Sequence, residues 1–278
     1  MKETKYRISG RIKLTVALLT DSHNTDYAPI RASLSSCRPD IIAIAGDILV
    51  GYRPQNYELI VRSQENVLKL VETCTDIAPT FISLGNHEWM ISQEDIDLLE
   101  SKKVVVLDNR YVRTGDVVIG GLSSAIVTNY QHFREKQGGR YPYRPRRSHP
   151  AYMDTEASWL QDFEDEIGYK ILLSHHPEYW CLREPWLCEH PIDLVLSGHA
   201  HGGQIRVFNH GIYASGQGWL PKFTSGVHTG RYGSMVVSRG LANTTCVPRV
   251  LNEPEIVYVE VSPVGMVSSE RVCPGYSG

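Results

Sequence analysis

Hydrophobic positions along the chain fall into short, nearly continuous runs, and five of these break into a polar turn. Residues 14–19 (LTVALL) lead into Thr20-Asp21-Ser22-His23-Asn24, and residues 40–45 (DIIAIA) into Gly46-Asp47. Residues 79–84 (PTFISL) lead into Gly85-Asn86-His87-Glu88, residues 169–174 (YKILLS) into His175-His176-Pro177, and residues 192–197 (IDLVLS) into Gly198-His199-Ala200-His201. Each run has strand length and is rich in β-branched residues or Leu, which predicts strands. The lack of polar alternation predicts a sheet covered on both faces.

Helical spacing appears between the runs. Residues 56–77 place Leu59, Ile60, Val67, Leu70 and Val71 on one stripe. Residues 92–102 open with Ser92-Gln-Glu-Asp95, the pattern of an N-cap followed by acidic first-turn residues. Residues 154–166 carry Trp159, Leu160 and Phe163. Strands alternating with helices predict an α/β fold, in which ligands gather at the carboxyl ends of the strands. The five polar turns are therefore expected to converge on one rim.

Two regions break this rhythm. Residues 130–153 (YQHFREKQGGRYPYRPRRSHPAYM) hold six Lys or Arg against one acid, and read as a basic inserted loop that covers an anionic substrate or stays solvated. After His201 the chain turns Gly-rich, with candidate strands at 204–208, 234–238 and 255–261. These are expected to be antiparallel and to complete a second sheet. Burial in that sheet is the simpler expectation for Trp219 and Phe223, with lining of a pocket as the alternative.

Composition narrows the classes. At 278 residues, with 42% hydrophobic and 21% charged positions, the chain can bury a large core and is not disordered, collagen-like or coiled-coil. There is no repeat or low-complexity linker, so a single domain spanning 1–278 is expected. With 28 basic against 31 acidic residues, a globally basic nucleic-acid surface is not indicated. No apolar run approaches the ~20 residues of a membrane helix. The charged start MKETKYRISGRIKL lacks the apolar core of a signal peptide. A cytoplasmic protein with no transmembrane segment is the expectation. None of the six cysteines forms a Cys-x-x-Cys pair, so packed thiols are expected rather than a zinc site.

The turns contribute Asp21, His23, Asp47, Asn86, His87, His175, His199 and His201. Mixed carboxylate and imidazole donors suit Mn, Fe, Co, Ni or Zn better than Ca or Mg. Seven candidate ligands exceed a single tetrahedral site and suit two ions sharing one carboxylate. Such a pair clamps the attacking and leaving oxygens of an in-line displacement at phosphorus and acidifies a water held between them.

The ordered set Asp21-x-His23, Gly46-Asp47, Gly85-Asn86-His87-Glu88, His175 and Gly198-His199-x-His201 resembles the calcineurin-like metallophosphoesterase superfamily. The likeness extends to a bacterial phosphohydrolase subgroup through Ser197-Gly-His-Ala-His-Gly-Gly-Gln204 and Ser238-Arg-Gly-Leu241. The resemblance implies a two-sheet β-sandwich flanked by helices, a four-layer αββα arrangement. It also implies a dinuclear phosphohydrolase that cleaves phosphomonoesters or phosphodiesters by attack of a metal-bridging hydroxide. Two divalent ions are expected, manganese foremost, with Fe, Zn, Ni or Co as alternatives. By the same resemblance Asp21, His23 and His201 hold one ion, Asn86, His175 and His199 the other, and Asp47 bridges. His87 faces the phosphoryl group and Glu88 orients His87. Arg239, in the Ser-Arg-Gly-Leu block, is read either as a phosphate-binding arginine or as a surface residue. His176 is expected to support a ligand rather than to be one. The expected partner is a small phosphorylated, nucleotide-like substrate, with no stable nucleic-acid complex. The competing class is a non-catalytic scaffold of the same fold, which the presence of His87 and all seven ligand positions disfavours.

Overall fold

The computed structural model describes residues 1–50, 59–127, 157–208, 210–243 and 247–263. The basic segment 130–153 lies outside the described residues.

Three of the apolar runs form parallel neighbours in one sheet: β2 (Leu14–Leu19), β3 (Ile41–Ala45) and β4 (Thr80–Ser83). The two later runs are β8 (Tyr169–Ser174) and β9 (Leu194–Ser197), parallel neighbours in a second sheet. All five strands are buried along their length apart from Thr15, as the missing polar alternation predicts. The first sheet also holds β1 (Lys2–Ser9), β5 (Val105–Leu107) and β16 (Glu255–Ser262), in the order β1-β16-β2-β3-β4-β5. The second adds β6 (Arg110–Thr114), β7 (Val117–Leu122), β14 (Gly226–Thr229) and β15 (Ser234–Val237), in the order β14-β15-β9-β8-β7-β6. In the chain between β9 and β14, β10 (Arg206–Val207) pairs with β11 (His210–Gly211), and β12 (Tyr213–Ala214) with β13 (Gly218–Trp219).

Three apolar interfaces give the layers. Val16, Leu18, Ala43, Phe81, Ile171, Leu173, Leu196 and Val257 meet between the two sheets. Helices α1 (Ala28–Cys37), α2 (Glu65–Ile77) and α3 (Gln93–Glu100) flank the first sheet. There Ile30, Leu34, Val67, Leu70 and Leu99 pack on Ile42, Ile44 and Ile82. Helix α4 (Leu160–Asp165) sits on the second sheet, where Leu160 and Phe163 meet Val118, Leu172 and Val195. Ser92 caps α3, accepting the Asp95 N–H at 3.1 Å while the Asp95 carboxylate accepts the Ser92 N–H at 3.1 Å. The two sheets flanked by helices are the expected sandwich.

The tail departs from the expectation. β15 does enter the second sheet, but parallel to β9. β16 enters the first sheet, between β1, to which it is parallel, and β2, to which it is antiparallel. Its residues 255–259 are all buried, which suits a central strand and not an edge. The charged N-terminus is itself the edge strand β1, on which alternating polar residues face solvent.

Candidate metal centre

Parallel strands deliver their carboxyl ends to one edge, so the turns after β2, β3, β4, β8 and β9 meet there. Asp21, His23, Asp47, His199 and His201 adopt left-handed φ values of 51°, 42°, 57°, 65° and 45°. Non-glycine residues persist in this region where surrounding structure imposes it, commonly at functional sites. Two glycines permit the close approach. A Cβ on Gly85 would lie 2.3 Å from Asp47 Oδ1, and one on Gly198 would lie 2.6 Å from Asp21 Oδ2.

The seven candidate ligands come together. Asp21 Oδ1 lies 3.4 Å from His201 Nε2 and 3.9 Å from both His23 Nε2 and His175 Nε2. Asp47 Oδ2 lies 3.1 Å from His175 Nε2 and 3.9 Å from His23 Nε2, so it stands between the two halves. Asp21, His23 and His201 form one cluster able to hold a cation, and Asp47, His175 and His199 another. The Asn86 amide oxygen is buried beside them.

Backbone carbonyls fix the imidazoles. Nδ1 of His175 lies 2.8 Å from Ala45 O, that of His23 2.8 Å from Leu49 O, and that of His87 2.9 Å from Val50 O. A carbonyl only accepts, so Nδ1 carries a hydrogen and Nε2 of each ring is turned to the centre. Asp21 Oδ1, His23 Nε2 and Asn86 Oδ1 are all buried without a hydrogen-bond partner. Unpartnered buried acceptors of this kind are costly unless a cation satisfies them, so the residues fit a metal centre.

Electrostatics agree. Burial pushes both carboxyls up, but neighbouring imidazoles, His201 at Asp21 and His175 at Asp47, outweigh it and hold them below the usual range, Asp47 well below. Burial lowers His23 to about 4 against the pull of Asp47, and burial with His176 and His175 lowers His199 well below its ordinary value. Burial disfavours charge on His175 too, but Asp47 and Asp21 raise it to about 10. Two buried carboxylates therefore favour positive charge at His175, while His23 and His199 are held neutral.

A cleft of about 230 Å³ opens over the cluster, its wall including Asp47, Asn86, His87, His199, His201 and Arg183. His87, its side chain 16% exposed, places Nε2 3.9 Å from Asp47 Oδ2 at the floor. The Glu88 carboxylate accepts the backbone N–H groups of Gly85, Asp47 and Leu49 at 2.7, 2.8 and 3.0 Å, so it reaches His87 through the backbone and Asp47. Burial and Asp47 push this carboxyl up to about 7. Arg239 is engaged by Glu255 at 2.6 Å and, among the described residues, is not in the cleft wall.

Three residues that the sequence left unmarked also meet here. Arg249 donates to Arg239 O at 2.7 Å and lies 3.2 Å from His201 Nδ1. Ser124 Oγ lies 2.7 Å from His176 Nε2, which makes His176 a cleft-wall residue held by a hydroxyl. Glu178 is buried, its Oε2 3.7 Å from His176 Nδ1, and groups with His176 and His199. Its place in the His175-His176-Pro177 turn was the available signal. Phe223 is buried as expected, while Trp219 is 76% exposed.

Comparison with known proteins agrees with the geometry. The chain is similar to the uncharacterized metallophosphoesterase YkoQ of Bacillus subtilis, 25% identical across 93% of this chain and 87% of that protein. It is also 25% identical to the phosphodiesterase YaeI of Escherichia coli across 69% of this chain and 62% of that one. A crystal structure of a dimetal phosphatase from Danio rerio shares the fold, with a TM-score of 0.50 and 12% identity over 82% of this chain and 87% of that one. Residues 14–203 match the family described as calcineurin-like phosphoesterase. With five strand-end turns meeting in a buried carboxylate–imidazole cluster inside that span, the chain belongs to the calcineurin-like phosphoesterase family.

Proposed function

We propose that the chain is a dinuclear metal-dependent phosphohydrolase acting on small phosphomonoesters or phosphodiesters. The observation that carries this reading is the set of buried, unpartnered acceptors around Asp21 and Asp47 at the floor of an open cleft. Asp21, His23 and His201 would hold one ion, and Asn86, His175 and His199 the other, with Asp47 shared. Divalent ions bound there supply Lewis-acid charge to phosphoryl oxygens and acidify a coordinated water.

The chain's own part is positional and protonic. The carbonyls of Ala45 and Leu49 keep His175 and His23 in one tautomer and orientation. His87, tied at Nδ1 to Val50 O, turns Nε2 to the cleft. When protonated it donates Nε2–H to the leaving oxygen as the bond from phosphorus to that oxygen breaks and one to water's oxygen forms. Arg183 in the cleft wall adds positive charge for the substrate anion. The mixed donor set suits Mn, Fe, Co, Ni or Zn, and a cytoplasmic site of action is supported by the free thiols of Cys37, Cys74, Cys181 and Cys188.

The test is hydrolysis of p-nitrophenyl phosphate and bis-p-nitrophenyl phosphate with Mn²⁺, Zn²⁺, Co²⁺ or Ni²⁺, with bound metal counted by mass spectrometry. Two ions per chain and turnover of either ester are expected. Absence of turnover with every ion, on esters and nucleotides alike, overturns the reading.

A further inference from the structure

Beside the two clusters around Asp21 and Asp47, the cleft wall holds a third group of donor atoms, contributed by His176, Glu178 and His199. Glu178 is 2% exposed, and its Oε1 has no hydrogen-bond partner. A carboxylate buried in that state is costly unless a cation or a donor meets it. The other oxygen is not satisfied by its neighbour. Oε2 lies 3.7 Å from His176 Nδ1, beyond the reach of a hydrogen bond. That separation suits two donors that each stand about 2 Å from one shared zinc-like ion, which places them roughly 3–4 Å apart.

His176 is tethered as the imidazoles of the pair are. Ser124 Oγ lies 2.7 Å from His176 Nε2 and can accept its hydrogen, as backbone carbonyls hold one nitrogen of His23 and of His175. Nδ1 is then left with its lone pair on the Glu178 side. Ser124 is itself buried, its N–H donating to Leu84 O at 2.8 Å, so the hydroxyl sits on a fixed backbone.

His199 supplies the third donor. Its ring stands edge-on to that of His176, with 4.3 Å between centroids. His199 Nε2 and Glu178 Oε1 border the same glycine: a Cβ on Gly216 would lie 3.4 Å from the one and 2.8 Å from the other. Gly216 has φ of 82°, so the turn that closes over this group takes a glycine for its backbone as well as for its space.

We propose that His176, Glu178 and His199 form a third cation site beside the pair, its two imidazoles and one carboxylate being a donor set that suits zinc. His199 is common to this site and to the cluster of Asp47 and His175, and the proposal leans on the phosphohydrolase reading through that residue alone. The site opens to the cleft through His176 and Glu178, where an ion adds positive charge for an anionic substrate.

The experiment counts zinc on the full chain by native mass spectrometry, with Zn²⁺ in excess, for the parent, Glu178→Gln, His176→Gln and Asp21→Asn. Thermal unfolding is recorded for each, and zinc-loaded crystals of the parent are examined for anomalous scattering. The parent should carry one ion more than Glu178→Gln or His176→Gln, and a zinc peak should lie about 2.0–2.2 Å from Glu178 and His176. A parent with no peak there overturns the proposal, and this readout decides even where a variant fails to fold. Folded variants that hold as many ions as the parent also overturn it. So does a Glu178→Gln chain that keeps the count but binds the pair more weakly, which would make Glu178 a support for the His199 ring. Asp21→Asn should shed an ion of the pair and keep the ion that Glu178→Gln removes. An ion at Glu178 with none in the pair counts against the dinuclear reading, and two ions in the pair with none at Glu178 count against this proposal, so the two failures are told apart.

Discussion

Glu88 holds Asp47 through the backbone: its Oε2 accepts the Asp47 N–H at 2.8 Å, and Asp47 Oδ1 in turn accepts the N–H of His87 at 2.7 Å. Two turns 40 residues apart are thereby locked with Asp47 between the two halves of the cluster. Replacing Glu88 by Ala strands three buried N–H groups, at about 1–3 kcal/mol each before relaxation. Glu88→Ala should lose about 3 kcal/mol or more of stability in urea unfolding and bind metal more weakly. Glu88→Gln, which keeps one acceptor oxygen, should fall between. A Glu88→Ala chain as stable as the parent would remove the clamp from the account.

Metal removal should cost stability, because the buried acceptors of Asp21, His23 and Asn86 then have no partner. An ion at about 100 times its dissociation constant contributes about 2.7 kcal/mol. Stripping with a chelator should therefore lower the melting temperature by about 5–10 °C, with recovery when Mn²⁺ is returned. Calorimetry before and after chelation measures this.

The proposed role of His87 can be tested apart from metal binding. Its ring reaches the cleft and is held by Val50 O. His87→Gln should lower kcat about 10²–10⁴-fold while metal content stays at the parent value. Loss of one ion in the variant would reassign His87 as a ligand.

The two arginines should behave differently. Arg249→Met removes a guanidinium that donates to the carbonyls of Arg239 and Ala242 and stands 3.2 Å from His201 Nδ1; with that positive charge gone, metal affinity should hold or rise while the loop loses stability. Arg239→Met leaves the buried Glu255 carboxylate without its cation and costs about 3 kcal/mol or more, with KM for a phosphate ester unchanged. Urea unfolding, metal competition and steady-state kinetics distinguish them.

Local sequence determined the five strand–turn units and the identities of the residues at their ends. Apolar runs such as Ile41–Ala45 can only be buried strands, and parallel neighbours bring their carboxyl ends together. The set from Asp21 to His201 was legible for that reason. Tertiary structure alone decided that β16 inserts between β1 and β2, although its run of apolar residues already marked it as a strand. It also decided that Glu88 spends its carboxylate on backbone, and that Arg249 rather than Arg239 lies beside His201. The physical reason is range. Hydrophobic periodicity reports which face of a segment is buried, whereas a carboxylate's or guanidinium's partner is chosen by segments tens to hundreds of residues away. The meeting of His176, Glu178 and His199 belongs to the second kind: their residue types are written in the chain, but their common position exists only in the fold.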